Sequence, residues 1–381
     1  MPYNLLLHKL SLTKIKKELK EIYAATIMRA FSLSLVSVFI PMYLLNLGYE
    51  LNQALFYLAI FYLTMAIFAP IVSVISSKAG LKHTIAIGPG LTIVYLLLLR
   101  SIGEINLPLY PIAIVGAIGA IIYWVPMNSH FTKSSNKGRR GTETGLFTAL
   151  PKVAAVTAPF IGGVMIASFG FSLLFLIAAV LLLVSVAPLF LSYEYKSHMK
   201  YKWKQIFSKK NLHWFDDFFV QGFVMVPVFV MFPIYIFTLS QNFSITGAAV
   251  SLMSLGIAIC AILLGRATDK FGKKAIMRAS AIILSLVFIG LIFITNPFAI
   301  YGMSFFIGVG WTGIAIPMFT FFCDNLKPGT RTEFMSFRDL SYCSGRTIAL
   351  FFLILVPLLL KFKIAFAIAA IAAIYFAMAR L

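Results

Sequence analysis

The chain has 381 residues, of which 61% are hydrophobic and only 12% carry a charged side chain. A soluble domain of this length could not bury so much apolar surface, so the composition excludes an ordinary soluble enzyme and indicates a polytopic membrane protein. The formal net charge of +20 would suggest nucleic acid in a soluble protein. Here the basic residues belong to the connections between apolar segments, and we expect no nucleic-acid partner.

The first predicted element, residues 1–21, is a basic tail. Its lysine cluster follows the apolar stretch NLLLHKL, the reverse of the order in a signal peptide, and no small-residue cleavage site is present. Leu12, Ile15 and Leu19 recur at helical spacing. The tail is therefore either an amphipathic helix on anionic lipid at the cytoplasmic face or a solvated basic segment.

Apolar stretches long enough to cross a bilayer, which takes about 20 helical residues, follow along the rest of the chain. They predict an all-α polytopic membrane protein with twelve transmembrane helices in two six-helix bundles, 22–193 and 213–381, joined by a basic linker at 194–212. The predicted spans are 22–46, 51–76, 84–103, 109–131, 142–168, 171–193, 213–239, 245–267, 276–295, 298–323, 334–360 and 363–380.

Lysine and arginine residues are distributed unequally between the two sides of these spans. The tail, alternate connections and the C-terminal end carry twenty-six, the other side carries three, and Arg29, Lys152 and Arg346 fall inside helices. By the positive-inside rule we expect both termini and the linker to be cytoplasmic, in a multi-pass protein of the cell membrane.

The two halves of the chain resemble each other in sequence. A shift of 192 residues aligns Pro41 with Pro233, Gly80 with Gly272, Lys82 with Lys274 and Arg139 with Arg331. A shift of 190 residues aligns Glu143 with Glu333. Such a repeat favours two structurally equivalent bundles of six helices.

The stretch GRATDKFGKK, residues 265–274, lies between the eighth and ninth predicted helices. It matches Gly-x-x-x-Asp-x-x-Gly-x-Lys/Arg, the loop signature of the major facilitator superfamily, and the chain resembles that superfamily throughout. RRGTETG before the fifth helix and APFIGG within it are similar to weaker marks of many members. The resemblance implies a secondary transporter that works by alternating access, with a gating loop formed by Gly265, Asp269, Gly272, Lys273 and Lys274.

Asp269 is the unusual residue of that loop, a carboxylate among cations. It can cap the N-terminus of a facing helix and pair with a cation, and the resemblance implies that it latches the cytoplasmic side. The alternative is that it only neutralises local positive charge. In the first half Ser73 and Ser77 stand at the positions that match Gly265 and Asp269, so we expect that latch to be weaker or absent.

The sequence was also searched for motifs of an enzyme or a metal site. The five histidines are scattered, and HExxH, GxSxG and Cys/His clusters are missing, so we predict no enzyme, no metal site and no cofactor. We expect a monomer that carries a small-molecule substrate. A drug or metabolite efflux carrier of the same fold, a channel and a non-transporting membrane scaffold are the alternatives.

The resemblance implies that helices 1, 4, 7 and 10 line a central cavity, with 2, 5, 8 and 11 alongside. The polar and aromatic residues on these helices predict a substrate site, although each Trp could equally be a packing residue or an interfacial anchor. The predicted substrate-binding residues are Arg29, Trp124, Asn128, Lys152, Gln221, Trp311 and Arg346.

Each charge near the bilayer centre costs about 2.5–3.5 kcal/mol by insertion scales, so Arg29, Lys152 and Arg346 need an explanation. Arg29 and Lys152 could snorkel, and Arg346 could pair with Asp339. Alternatively, a substrate with a carboxylate or phosphate supplies the missing negative charge. Asp217 and Asp339 are the candidates for proton coupling, with capping or ion pairing, and uniport or anion exchange, as the alternatives.

Overall fold

The computed structural model is built almost entirely of helices, which confirms the predicted all-α class. The residues it describes are 17–105, 107–185, 187, 207–208, 211–294, 296–327 and 330–378. Most of the predicted tail and most of the predicted linker lie outside these ranges. The helices are α1 Lys17–Ser34, α2 Ile40–Asn46, α3 Leu51–Ala79, α4 Leu81–Ile102, α5 Leu109–Ser134, α6 Arg140–Ala154, α7 Ala158–Val184, α8 Leu212–Val226, α9 Phe232–Ser240, α10 Phe243–Phe271, α11 Lys273–Phe293, α12 Pro297–Asn325, α13 Arg331–Leu355 and α14 Leu358–Met378.

Ten stretches of the described chain are long and apolar enough to cross a membrane. One of them, Arg140–Val184, has 45 residues, far more than a single crossing needs. It joins α6 to α7, and α7 is itself interrupted at Gly170, whose φ of 75° and ψ of 176° are not helical. Residues before Gly170 pack on α10, whereas those after it pack on α4 and α1.

Two of the predicted segments contain irregular turns. The predicted segment 22–46 is interrupted between α1 and α2 by a 3-10 turn at Ser37–Phe39. The predicted segment 213–239 is interrupted between α8 and α9 by a π-helical turn at Pro227–Met231. Proline cannot donate the backbone hydrogen bond of a regular helix, so Pro227 accounts for the second interruption.

The first part of the chain (17–185) packs against the second part (211–378) most extensively along two pairs of helices. In one pair, α3 runs beside α13, with Phe56 and Phe351 ring to ring at 6.0 Å. In the other, α6 crosses α10 so closely that a Cβ atom at Gly145 would lie 2.5 Å from the Ala261 carbonyl oxygen. Small residues at such crossings let two helix backbones touch.

The helix ends form two layers. We call the layer that contains the connections α3–α4, α5–α6, α10–α11 and α12–α13 the basic end, since most of the described Lys and Arg residues of the connections lie there. The opposite layer is the far end. Gly80 and Gly272 make the turns after α3 and α10 with φ of 99° and 90°, a backbone conformation that favours glycine.

Candidate functional site: a central cavity and the loop at the basic end

A cavity of about 570 Å³ lies between the two parts of the chain. Helices α1, α3, α5, α6, α8, α12 and α13 line it, and Thr92, Tyr95 and Leu96 of α4 contribute as well. The helix set implied by the resemblance is therefore wrong in one respect. In the described chain α4, the third predicted segment, replaces α10, the eighth, because α10 is occupied by its close packing on α6 and α7.

All seven predicted substrate-binding residues line this one cavity. Arg29 comes from α1, Trp124 and Asn128 from α5, Lys152 from α6, Gln221 from α8, Trp311 from α12 and Arg346 from α13. Trp124 is 38% exposed, more than any of the other six.

The Arg29 guanidinium is stacked on an aromatic ring and lies within the bundle, so snorkelling does not describe it. Its Cζ atom lies 4.0 Å from the centroid of the Tyr123 ring, and the residue is only 3% exposed. Nε and Nη1 have no hydrogen-bond partner among the described residues. A ring face compensates part of a cation's charge without adding a negative one, so Arg29 remains able to bind an anion.

The alternative in which Arg346 pairs with Asp339 is wrong, because Asp339 lies beside Arg338 instead. Arg346 Cζ lies 4.0 Å from the Tyr342 ring and 4.7 Å from the Tyr62 ring. Positions 339 and 346 are seven residues apart, which is about 10 Å along a helix. The two tyrosine rings lie much closer to the Arg346 guanidinium group. Tyr62 belongs to α3, so this stack also joins the two parts of the chain.

Lys152 belongs to an aromatic row on another wall. Its Nζ atom lies 5.8 Å from the Phe229 ring, and Phe229 meets Trp311 edge to face at 5.4 Å. On the facing wall Trp124 meets Tyr123 in the same way at 5.2 Å. The cavity therefore combines cations with flat apolar surfaces.

Arg338 is a fourth cation of the cavity, and the sequence analysis missed it. It was counted with the basic residues of the connection before the eleventh segment, whereas it lies in the second turn of α13 and lines the cavity. Its Nη1 lies 3.3 Å from Asp339 Oδ1. The signal that could have found it is its position one residue before Asp339, inside the predicted span 334–360.

The two predicted proton-coupling residues lie in different places. Asp339 lines the cavity and is the one acidic side chain among its described lining residues. Asp217 does not line it, and its Oδ1 accepts a hydrogen bond of 2.8 Å from the Tyr375 hydroxyl of α14. The geometry thus links only Asp339 to the cavity.

The predicted gating loop binds the other part of the chain at the basic end. Asp269 accepts hydrogen bonds from the backbone amides of Gly141 (2.9 Å) and Thr142 (2.8 Å) and from the Thr142 hydroxyl (2.8 Å). These amides open α6, so the carboxylate caps the N-terminus of a helix in the other part of the chain, as expected. A Cβ atom at Gly265 would lie 2.8 Å from the Gly141 carbonyl oxygen, which explains the glycine there.

A second set of bonds beside the loop contains the cation pairing. Asp324 of α12 binds Lys273 (2.7 Å) and Arg140 (2.7 Å), and Arg140 also donates to the Cys323 carbonyl (2.9 Å). The expected cation partner of Asp269 is thus found on Asp324 instead, within the described chain. Lys274 lies half-buried in the first turn of α11.

The far end also carries a contact between the two parts. Lys361 of α14 is 1% exposed, and its ammonium group donates to the Asn52 side chain at 2.8 Å and to the Leu353 carbonyl. Asn52 lies in the first turn of α3 and Leu353 in the last turn of α13. A buried lysine therefore satisfies the last carbonyls of one helix while it holds the start of another.

The signature loop, the cross-helix cap and the cavity are features that can be checked by comparison with known proteins, and that comparison identifies the family. The sequence model of the Major Facilitator Superfamily matches residues 22–350. The chain belongs to the major facilitator superfamily. Members of this superfamily are membrane transporters, which agrees with the predicted transport function in this general form.

Two curated superfamily relatives are similar to the chain. Both are the "Multi-drug resistance efflux pump PmrA" of Streptococcus pneumoniae, from strains TIGR4 and R6, each 24% identical over 332 residues and covering 79% of both chains.

Solved superfamily structures match the fold over nearly the whole chain. A bacterial homologue of the iron transporter ferroportin in an outward-facing state has a TM-score of 0.71 and 15% identity, and the match covers 94% of this chain and 97% of that one. The human organic anion transporter MFSD10 has a TM-score of 0.74 and 10% identity, covering 95% and 98%. In the described part of this chain, no three His, Cys, Asp or Glu side chains are arranged to hold a metal ion.

Proposed function

We propose that this protein is a secondary active transporter that moves a small organic anion across the cell membrane by alternating access. The carrying observation is the charge of the cavity, where Arg29, Lys152, Arg338 and Arg346 face a single carboxylate, Asp339, among the described lining residues. Such an excess of cations in a largely apolar interior is costly without an anion to offset it.

The surroundings of these cations support the proposal. Arg29 and Arg346 are compensated by tyrosine rings rather than by carboxylates, so their hydrogen-bond donors are not used up by an internal ion pair. The planar guanidinium group binds carboxylate or phosphate through two parallel bonds. We assign Arg29 and Arg346 as the main contacts, with Lys152 raising the local potential and Trp124, Asn128, Gln221 and Trp311 completing the site.

The transport cycle would exchange the closed basic end for a closed far end. We propose two bundles, 22–193 and 213–381, joined by the linker 194–212, with twelve crossings. Gly170 would separate the fifth crossing from the sixth, and α13 would be a crossing that is too polar to be among the ten apolar stretches of the described chain. The basic end would be cytoplasmic, with Asp269 as its latch, both termini inside, and anionic lipid against the basic tail of a monomer.

Efflux of drugs or metabolites is a second candidate. Aromatic walls around Trp124, Phe229 and Trp311 offer flat apolar contact area, and the curated relatives are named multidrug efflux pumps. The two candidates differ in the charge of what is carried, since four cavity cations would repel the cationic compounds that an aromatic pocket could otherwise accept.

The deciding experiment is counterflow into liposomes containing the purified protein. The panel comprises carboxylates, phosphate monoesters, neutral sugars and lipophilic cations. We expect only anions to exchange, and we expect Arg29→Gln and Arg346→Gln each to weaken affinity about tenfold, the scale of a charged hydrogen bond. Arg278→Gln, an exposed arginine of α11 outside the cavity, is the matched control. Exchange of a neutral sugar or a lipophilic cation instead would refute the anion assignment.

A further inference from the structure

Arg338 and Asp339 form an ion pair with poor geometry on the wall of the cavity. Consecutive helix residues point about 100° apart, so their side chains cannot meet in the two-bonded arrangement that arginine and a carboxylate prefer. The structure shows the result. The Nη1–Oδ1 distance is 3.3 Å, and Arg338 Nε, Arg338 Nη1 and Asp339 Oδ2 are buried without a hydrogen-bond partner in the described chain.

Aromatic faces surround the Arg338 guanidinium group and leave no second acid beside it among the described lining residues. Its Cζ atom lies 4.9 Å from the Phe319 ring, 5.6 Å from the Tyr342 ring and 5.7 Å from the Phe218 ring. On the other side Asp339 faces the side-chain amide of Asn128, which α5 contributes from the first part of the chain. Both members of the pair therefore have hydrogen-bonding capacity that the pair itself does not use.

We propose that Asp339 is an internal counterion that holds the Arg338 anion site until the substrate's anionic group displaces it. This inference rests on the proposed function and adds Arg338 to the residues that bind substrate. An anion that enters from the cavity can approach the guanidinium fork in its plane, which Asp339 cannot do from the next position of the same helix. The released carboxylate remains beside the Asn128 amide, so the exchange strengthens a contact between the two parts of the chain.

The proposal makes opposite predictions for two neighbouring substitutions. We would measure thermal stabilisation of the full-length purified protein by benzoate, with benzamide as the uncharged ligand of the same shape. Asp339→Asn removes the competitor, so the benzoate concentration for half-maximal stabilisation should fall about threefold or more, the scale of a weak ion pair. Arg338→Gln should raise that concentration by a similar factor. Asp216→Asn, an exposed acid of α8 outside the cavity, should change nothing.

The outcomes separate this inference from the proposed function. If wild-type protein prefers benzoate to benzamide but Asp339→Asn weakens benzoate as Arg338→Gln does, the pair is structural and the counterion role is wrong, while the anion cavity stands. If neither wild-type protein nor Asp339→Asn prefers benzoate, both proposals are wrong. Asp339→Ser serves as the second variant if Asp339→Asn is not monodisperse in size-exclusion chromatography, and it should show the same tightening.

Discussion

The connection α3–α4 and the connection α10–α11 have the same backbone turn but different side-chain contacts. Gly80 has φ 99° and ψ 150°, and Gly272 has φ 90° and ψ 143°. Three residues before each glycine, the Ser77 hydroxyl donates to Val74 of its own helix, whereas Asp269 binds the start of α6 in the other part of the chain. The glycine thus forms the turn in both connections. The side chain three residues before it differs, and in the second connection that side chain binds the other part of the chain.

The cations of the two connections differ in the same way. Lys82 binds Glu21 at 2.9 Å, and both residues belong to the first part. Lys273 binds Asp324, which Arg140 of the first part also binds. Among the ion pairs of the described residues, those at the second connection therefore join the two parts, whereas the Lys82–Glu21 pair stays within one part.

The largest effect should come from replacing Gly265, at the closest contact of α10 with α6, by the serine that stands at the matching position 73 of the first part. Gly265→Ser places a side chain within 3 Å of the Gly141 and Gly145 backbones, and such overpacking costs about 1–3 kcal/mol. We expect basic-end closure to be lost. A cysteine at Thr144, in a background without native cysteines, should then react rapidly with an impermeant thiol reagent added from the basic side.

The reciprocal change is the control for that experiment. Ser73→Gly should leave labelling at Thr144→Cys almost unchanged, because Ser73 is not at the crossing of α6 and α10. Equal labelling of the two variants would mean that the α6–α10 contact does not close the basic end.

The next effect in size should come from Asp269→Asn. The amide keeps the shape of the side chain but removes the charge that caps α6, an interaction worth about 0.5–2 kcal/mol. The same cysteine assay should report several-fold faster labelling, and transport should fall while membrane insertion is unchanged. Asp216→Asn is the control for the loss of an acid. Normal labelling together with normal transport would leave Asp269 as a local neutralising charge only.

A comparison of Arg140→Gln with Lys82→Gln tests the role of the cations. Arg140 bonds across the two parts and Lys82 within one part, so only Arg140→Gln should speed labelling, about threefold or more given its partly buried partner. Lys82→Gln should lower the thermal unfolding midpoint without changing accessibility. Faster labelling in both variants would show that bonds within one part also control opening.

The smallest effect should come from adding the missing carboxylate to the first connection. Ser77→Asp places a charge at the position that matches Asp269, and a charge near a helix N-terminus stabilises by about 0.3–1 kcal/mol. The facing helix α13 already has Glu333 in its first turn, which reduces the gain. Labelling should slow by no more than about threefold. A complete block of transport by Ser77→Asp would indicate that the first connection can also act as a strong latch.

The sequence predicted the features that depend on local pattern. Apolar windows located the helices, glycine and charge located the loop around Asp269, and the residues inferred for the substrate site converge on one cavity. Contacts between distant residues were not predictable in the same way. Arg346 stacks on Tyr62 and Tyr342 and does not pair with Asp339, because α3 and α13 pack together. The sequence pattern of α13 alone does not show which residues of α3 lie beside it.

Close packing between helices also decides which helices reach the cavity. Helix α10 was expected beside it, but glycines on both sides draw α10 onto α6 and α7, and α4 contributes in its place. Arg338 was missed because it was assigned to the basic connection, although it lies inside the predicted span 334–360. Its polar neighbours at the start of α13 resemble those of a connection.

In the proposed twelve-crossing topology, the polarity of α13 has a consequence for biosynthesis. Arg338, Asp339 and Arg346 lie within this helix, and each charge near the bilayer centre opposes insertion by about 2.5–3.5 kcal/mol on insertion scales. The helix is therefore poorly suited to leave the translocon for lipid as a single segment. Its neighbour α3 supplies Tyr62 for Arg346 and is synthesised long before α13 emerges. The first part of the chain thus provides the surface on which the most polar helix of the second part can enter the membrane.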